Sequence, residues 1–157
     1  MDSHSASSPV PWPPIIFGGA LLLGIVAGWL QPFAVFPADW SISLAIAGAA
    51  CFAAGFALLA TAVRLFARAG TPAPPNRPTK LIVAGGIYRF TRNPMYAGMA
   101  LMLAGLGLAF NSAWLLLLVP VGIYAVTKLA IEREEAYLSA RFGADYLAYK
   151  SQVRRWL

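Results

Sequence analysis

The sequence predicts an all-α fold: an integral membrane bundle of four transmembrane helices with a cytoplasmic C-terminal helical extension. Three observations carry that expectation. Of 157 residues, 59% are apolar and 11% are charged, against roughly 45–50% and about 25% in an ordinary soluble domain. Single apolar stretches exceed the roughly 18 residues that indicate a membrane span. All 12 Lys and Arg lie from Arg64 onward, at the end of the second stretch, in the connection after it or around the end of the last, and such one-sidedness reports topology. The length admits one membrane domain, residues 15–157, behind a polar tail of residues 1–14.

The elements follow in chain order. The tail is rich in Ser and Pro and has no Lys or Arg, so it lacks the basic n-region of a signal peptide. The first span is expected over residues 15–36, with Ile15 to Leu30 as its apolar run and Phe33, Val35 and Phe36 extending it past Gln31-Pro32. Ala20, Gly24 and Gly28 recur every four residues, a small face that lets a second helix approach closely. The second span is expected over residues 41–66. Residues 70–78 contain four prolines, which remove donors and restrict their predecessors, so this stretch reads as a non-helical linker outside the hydrocarbon. From Pro94 to Ile131 the chain is apolar except for Lys128 and an interruption at Asn111-Ser112. This predicts a tight hairpin of spans 94–110 and 113–131, the latter bent at Pro120 and Gly122. Residues 31–40 and 111–112 carry no Lys or Arg. The positive-inside rule therefore places both termini and the 67–93 connection in the cytoplasm, as in a bacterial-type inner membrane.

Composition also excludes. One cysteine, Cys51, and one histidine, His4, in the tail build no disulfide, thiolate metal cluster or catalytic triad. Cys51 reads as a packing residue, and no metal is expected. The net charge of +6 reports topology and anionic membrane lipid rather than nucleic acid.

Two stretches hold nearly every polar group able to act, one within residues 77–96 and one within 131–157. In the first, Asn93 is an N-cap residue type and Pro94 suits the first helical position. The following helix therefore starts with its positive end beside the forked cation of Arg92, an arrangement suited to an anion. In the second, a helical wheel from Ile131 places Leu138 and Phe142 on one apolar stripe. Glu134 then falls about 60° to one side and Glu135 about 40° to the other, so both carboxylates border the inward face and need partners. Structural partners for them would be Lys128 for Glu135 and Arg92 for Glu134. A mouth lined by cation and carboxylate suits a zwitterionic ligand such as S-adenosylmethionine, and suits other amphiphiles equally.

The ordered combination Gly86-x-Tyr88, Arg92-Asn93-Pro94-Met95-Tyr96-x-Gly98, Glu134-Glu135 and Phe142-Gly143-x-x-Tyr146-x-x-Tyr149 resembles the isoprenylcysteine carboxyl methyltransferase and phospholipid methyltransferase superfamily over residues 64–157. The resemblance implies an integral membrane enzyme that transfers methyl from S-adenosylmethionine, releasing S-adenosylhomocysteine, to a lipophilic or amphiphilic acceptor in the membrane. It implies donor contacts from Val83, Tyr88, Pro94, Tyr96 and Glu134, with Leu81 and Met95 contributing backbone or wall. Asn93 stands where eukaryotic members have His, and can donate a hydrogen bond without titrating. Ala130 stands where isoprenylcysteine enzymes carry a substrate-binding arginine, one turn before Glu134. In the implied reaction Arg92 positions a carboxylate acceptor, or Glu135 takes a proton from an ammonium acceptor. Tyr146, Tyr149 and Arg154-Arg155-Trp156 read as a lid or an interfacial anchor. The alternatives are an inactive family member, or a non-enzymatic four-span transporter or assembly subunit whose Glu pair serves ion coupling or helix pairing. The absence of an ionisable residue near mid-membrane and the placement of the acidic pair at the cytoplasmic exit favour the enzyme.

Overall fold

The structure, a computed structural model, describes residues 10, 12–71 and 80–156. Most of the tail and most of the proline-rich linker lie outside the described residues. Helix α1 runs Trp12–Leu30, three residues earlier than the apolar run suggests. Pro13 and Pro14 occupy its first turn, where a missing N–H costs nothing because that donor would be unpaired anyway. It ends at Leu30, so Phe33, Val35 and Phe36 do not extend it, and they lie in an irregular connection before the 3-10 turn Ala38–Trp40. Helix α2 is Ser41–Arg68 and α3 is Pro94–Ala109. Helix α4, Ala113–Val126, continues through a π-helical turn at Thr127–Ile131 into α5, Glu132–Phe142.

Among the described residues, three helical stretches are long and apolar enough to cross a membrane, Trp12–Leu30, Ala38–Arg68 and Ala113–Phe142, and the apolar α3 is shorter. Many large apolar side chains of α1 and α2 point outward, among them Leu22, Leu23, Ile42, Ile46 and Phe56, as expected where the solvent is lipid rather than water. The helix continues past Ile131 into α5, where the sequence reading also has a helix emerging from the fourth span. Some 20 residues at about 1.5 Å each cross a hydrocarbon core of roughly 30 Å. The charged turns from Glu132 onward lie past the length that such a crossing needs.

Helix α3 is central. Helix α2 packs along one side of it and α4 on another, while α1 is seated mainly against α4. Phe17 and Ala20 of α1, Tyr96, Ala100 and Leu103 of α3, and Leu115, Val126 and Ile131 of the fourth rod form the buried core. The small face of α1 works as the spacing implies, for a Cβ on Gly24 would collide with Leu115 of α4. Pro120 lies inside α4 without ending it, and Gly122 leaves space for the Phe17 ring, 3.1 Å from where its Cβ would stand. The local departure from α geometry is the π turn. There Thr127 Oγ1 donates to the Ile123 carbonyl at 2.6 Å, a back-bond that competes with the regular ladder. The wider turn resets the phase of α5 relative to α4, as π turns near functional sites often do.

The Phe110–Ser112 turn is a clamp. Asn111 adopts φ 46°, which asparagine tolerates better than most residues. Its Oδ1 accepts from the N–H groups of Val35 (3.1 Å) and Phe36 (3.0 Å), and its Nδ2 donates to the Phe36 carbonyl at 2.8 Å. Asn111→Ala removes all three and places alanine in a left-handed conformation. Its expected cost is about 2 kcal/mol, with Asn111→Asp losing less because it keeps the acceptor; thermal unfolding in detergent reads both.

Candidate active site

At one end of the bundle, the segment before α3, the first turn of α3, α5 and the C-terminal helix α6 (Ala144–Gln152) enclose a pocket. It holds about 680 Å³ of empty space counted out through its open mouth. Local structure explains each wall. The 3-10 turn Gly86–Arg89 turns Tyr88 inward, where its ring meets Phe66 of α2 at 5.4 Å between centroids. Gly143 takes φ 54° between α5 and α6, a conformation glycine adopts without penalty, and the reversal brings Tyr146 and Tyr149 of α6 to the pocket. Tyr149 donates its hydroxyl to the Tyr88 carbonyl at 2.7 Å.

The two carboxylates of α5 have different surroundings. Glu134 Oε2 accepts the Tyr96 hydroxyl at 2.9 Å. Glu135 is buried and faces three cations. Its Oε1 receives Arg155 Nε at 2.8 Å and lies 3.2 Å from Arg92 Nη1, and its Oε2 receives Arg155 Nη2 at 3.0 Å and Lys150 at 2.9 Å. Burial raises the Glu134 carboxyl above the usual range, with Glu135 adding to the effect and the Tyr96 hydrogen bond opposing it. Burial acts upward on Glu135 too. There the hydrogen bonds from Arg155 and Lys150 and the charge of Arg92 prevail and hold it low. Burial also pushes Tyr149 up to about 12. It raises Tyr146, with Glu135 adding and a hydrogen bond with Arg92 opposing.

The chain beyond α6 ties the pocket shut at one edge. The Arg92 N–H donates to the Arg154 carbonyl at 2.9 Å. Both Thr91 Oγ1 (3.1 Å) and Asn93 Nδ2 (2.9 Å) donate to the Arg155 carbonyl. Thr91 and Arg154 form a short parallel bridge.

Every site residue singled out from the sequence lines this pocket: Leu81, Val83 and Tyr88 from the approach, Arg92, Asn93, Pro94, Met95 and Tyr96 around the start of α3, and Glu134 and Glu135 from α5. Their partners differ from expectation. Arg92 faces Glu135 rather than Glu134, and Lys128 pairs with Glu132, one turn away at 2.7 Å, rather than with Glu135. Asn93 holds the N-cap position of α3 with Pro94 next, but its side chain makes no cap and is spent on Arg155. Arg155 is no free interfacial anchor, since both its guanidinium and its carbonyl are engaged in the site, and Trp156 packs against the core. Sequence reasoning missed Phe66, Ile82 and Ile131 as walls and Lys150 as a partner of Glu135. Leu138, already on the apolar stripe of α5, lines the pocket as well. Phe66 carries no local signal, being one more apolar residue at the end of a span.

Apolar helices of membrane-spanning length with a charged, tyrosine-lined pocket at one end are the features of a helical membrane protein. The chain belongs to the phospholipid methyltransferase family, whose family model matches residues 44–145. It is also similar to an uncharacterized protein of Haemophilus influenzae, 40% identical over 65 residues, which covers 40% of this chain and 100% of that protein. No solved structure matches the chain significantly.

Proposed function

We propose that this protein is a four-span, S-adenosylmethionine-dependent methyltransferase of the membrane, with both termini and the pocket facing the cytoplasm, acting on a lipophilic or amphiphilic acceptor. The observation that supports it most is the convergence of residues from the 81–96 segment and α5 on one pocket, in a chain of a methyltransferase family. The residues suit the donor. Glu134, held through one oxygen by Tyr96, offers an anion for its ammonium. Val83, Ile131, Leu138 and the tyrosines offer apolar and aromatic walls for its adenine. The donor supplies an electrophilic methyl on a sulfonium; the chain's own part is to align the reactants and to replace water with fixed groups.

In this reading Arg92 stands at the reacting end. Glu135 holds the surrounding cations in place, and to accept a proton it would have to give up hydrogen bonds from Arg155 and Lys150. Membranes containing the protein are expected to transfer label from methyl-labelled S-adenosylmethionine into the lipid extract, and the purified protein to give binding heat with S-adenosylhomocysteine. Absence of heat at millimolar ligand would remove the methyltransferase reading.

A further inference from the structure

Residues 154–156 reach Arg92 from two directions. On the main chain, the Arg154 carbonyl accepts the Arg92 N–H at 2.9 Å, and the Arg155 carbonyl accepts from Thr91 Oγ1 and Asn93 Nδ2, the residues on either side. Trp156 packs against the core and fixes this strap to the bundle. On the side chains, Arg155 Nε and Nη2 donate to the two oxygens of Glu135 at 2.8 and 3.0 Å, and Lys150 adds a contact at 2.9 Å. Arg92 is left outside that arrangement. Its side chain is only 10% exposed and lines the pocket, and its Nη1 lies 3.2 Å from Glu135, yet its Nε and Nη1 make no hydrogen bond. A guanidinium fork and a carboxylate this close ordinarily pair through two parallel hydrogen bonds, and the pull between them strengthens where water is excluded. Arg155 stands in the way, because it already holds both carboxylate oxygens.

We propose that Arg155 is a positioning residue: by saturating Glu135 it keeps Arg92 from closing on that carboxylate, so that the Arg92 nitrogens stay available to the pocket. This rests on the methyltransferase reading, in which Arg92 stands at the reacting end. Without Arg155, Glu135 keeps Lys150 on Oε2 but regains a free acceptor site on Oε1, the oxygen that Arg92 Nη1 already approaches. The guanidinium then turns to Glu135 and its charge is spent there. Three cations around one carboxylate exceed what neutralising Glu135 requires, and the surplus is explained if one of them is held in reserve by the others. The carbonyl of Arg155 serves the same end, since it fixes the chain on both sides of Arg92. One residue thus sets both the place of that arginine and its freedom.

The test compares the full-length wild type, Arg155→Gln, and the double variant that adds Glu135→Gln to Arg155→Gln. Three readouts are taken: label passed from methyl-labelled S-adenosylmethionine into the lipid extract of membranes, binding heat with S-adenosylhomocysteine, and the arginine side-chain N–H signals of nitrogen-15-labelled protein in maltoside micelles. Arg155→Gln is expected to lose about tenfold or more in turnover at saturating donor, the effect of one charge-assisted hydrogen bond, while S-adenosylhomocysteine binds within about threefold of wild type. The double variant is expected to turn over several-fold faster than Arg155→Gln, because the carboxylate that captures Arg92 has lost its charge; were Arg155 only a structural tie, the second substitution would add to the loss. In the spectrum, the Arg92 signals of wild type are expected to lack the downfield shift of the carboxylate-bound Arg155 Nε–H and to acquire it in Arg155→Gln. Wild-type turnover in Arg155→Gln overturns the proposal, as does a double variant no faster than the single one, or a wild-type Arg92 already shifted like Arg155. The wild-type spectrum needs no variant to fold, and Arg155→Lys, which keeps the charge without the fork, is expected to fall between wild type and Arg155→Gln. No heat from S-adenosylhomocysteine with wild type removes the methyltransferase reading instead, a failure read in a separate titration.

Discussion

Glu134→Ala is expected to weaken S-adenosylhomocysteine binding at least about tenfold in calorimetry, and up to about a hundredfold if the full worth of a hydrogen bond to a charged group is lost. The carboxylate sits on the first turn of α5 within reach of α3, where the Tyr96 hydroxyl fixes one oxygen at 2.9 Å. The π turn above it sets the phase that aims Glu134 at Tyr96 and Glu135 at Arg92. A zwitterionic ligand whose ammonium meets Glu134 loses its anionic partner in the alanine variant. Glu134→Gln separates charge from shape, since it keeps a hydrogen-bonding group for Tyr96 and is expected to bind nearly as poorly as alanine. Tyr96→Phe keeps the charge but frees the carboxylate's orientation, so its expected loss is several-fold. Wild-type affinity in Glu134→Ala would take Glu134 out of the ligand site. The melting temperature checks that the variants still fold, which matters most for Tyr96 because its ring belongs to the core.

The polar site was legible in this sequence for the same reason that a charge is conspicuous in lipid. With 11% of residues charged, Arg92, Glu134 and Glu135 stood out, and helical phase placed the acidic pair at the border of a buried face. Their pairing was not legible. The π turn at Thr127–Ile131 and the reversal at Gly143 decide which carboxylate meets which partner, and neither is a property of composition or of a regular wheel. Arg155, some 60 residues from Arg92 in sequence and joined to it through Glu135, was marked only as part of a lid or anchor, with nothing local to tie it to that carboxylate. Asn93 shows a different kind of miss. Its type and place predict a cap, and the residue does stand there, yet the carbonyl of Arg155 competes successfully for its amide. The start of α1 shifted where the apolar run is a poor guide, at Pro13-Pro14, which a first turn accepts.

The closest helix pairing was also hidden among ordinary residues, and it sets the second large effect. Gly98→Leu on α3 is expected to destabilise the bundle by about 3 kcal/mol or more and to separate α2 from α3, since overpacking a close-packed contact already costs about 1–3 kcal/mol when side chains can yield. Here they cannot. A Cβ on Gly98 would stand 2.7 Å from the Gly55 carbonyl, and one on Gly55 would stand 2.7 Å from the Gly98 carbonyl, so backbone meets backbone on both sides. Gly105 repeats the arrangement seven residues on, 2.6 Å from the Phe52 nitrogen and 2.7 Å from the Gly48 carbonyl. Small residues at such spacing let helices approach in lipid, where association depends on packing rather than on expulsion of water. Gly18 on α1 is the control. Nothing lies within 4 Å of its Cβ position, so Gly18→Ala is expected to be neutral or to gain up to about 1 kcal/mol from helix propensity. Thermal unfolding of the three proteins in one detergent decides the matter. A Gly98→Leu protein that melts with wild type would mean that α2 and α3 do not depend on this contact. Because Gly98 lies two residues beyond Tyr96, and Phe66, at the end of α2, lines the pocket and touches Tyr88, the same substitution is expected to weaken ligand binding as well, and Gly18→Ala to leave it intact.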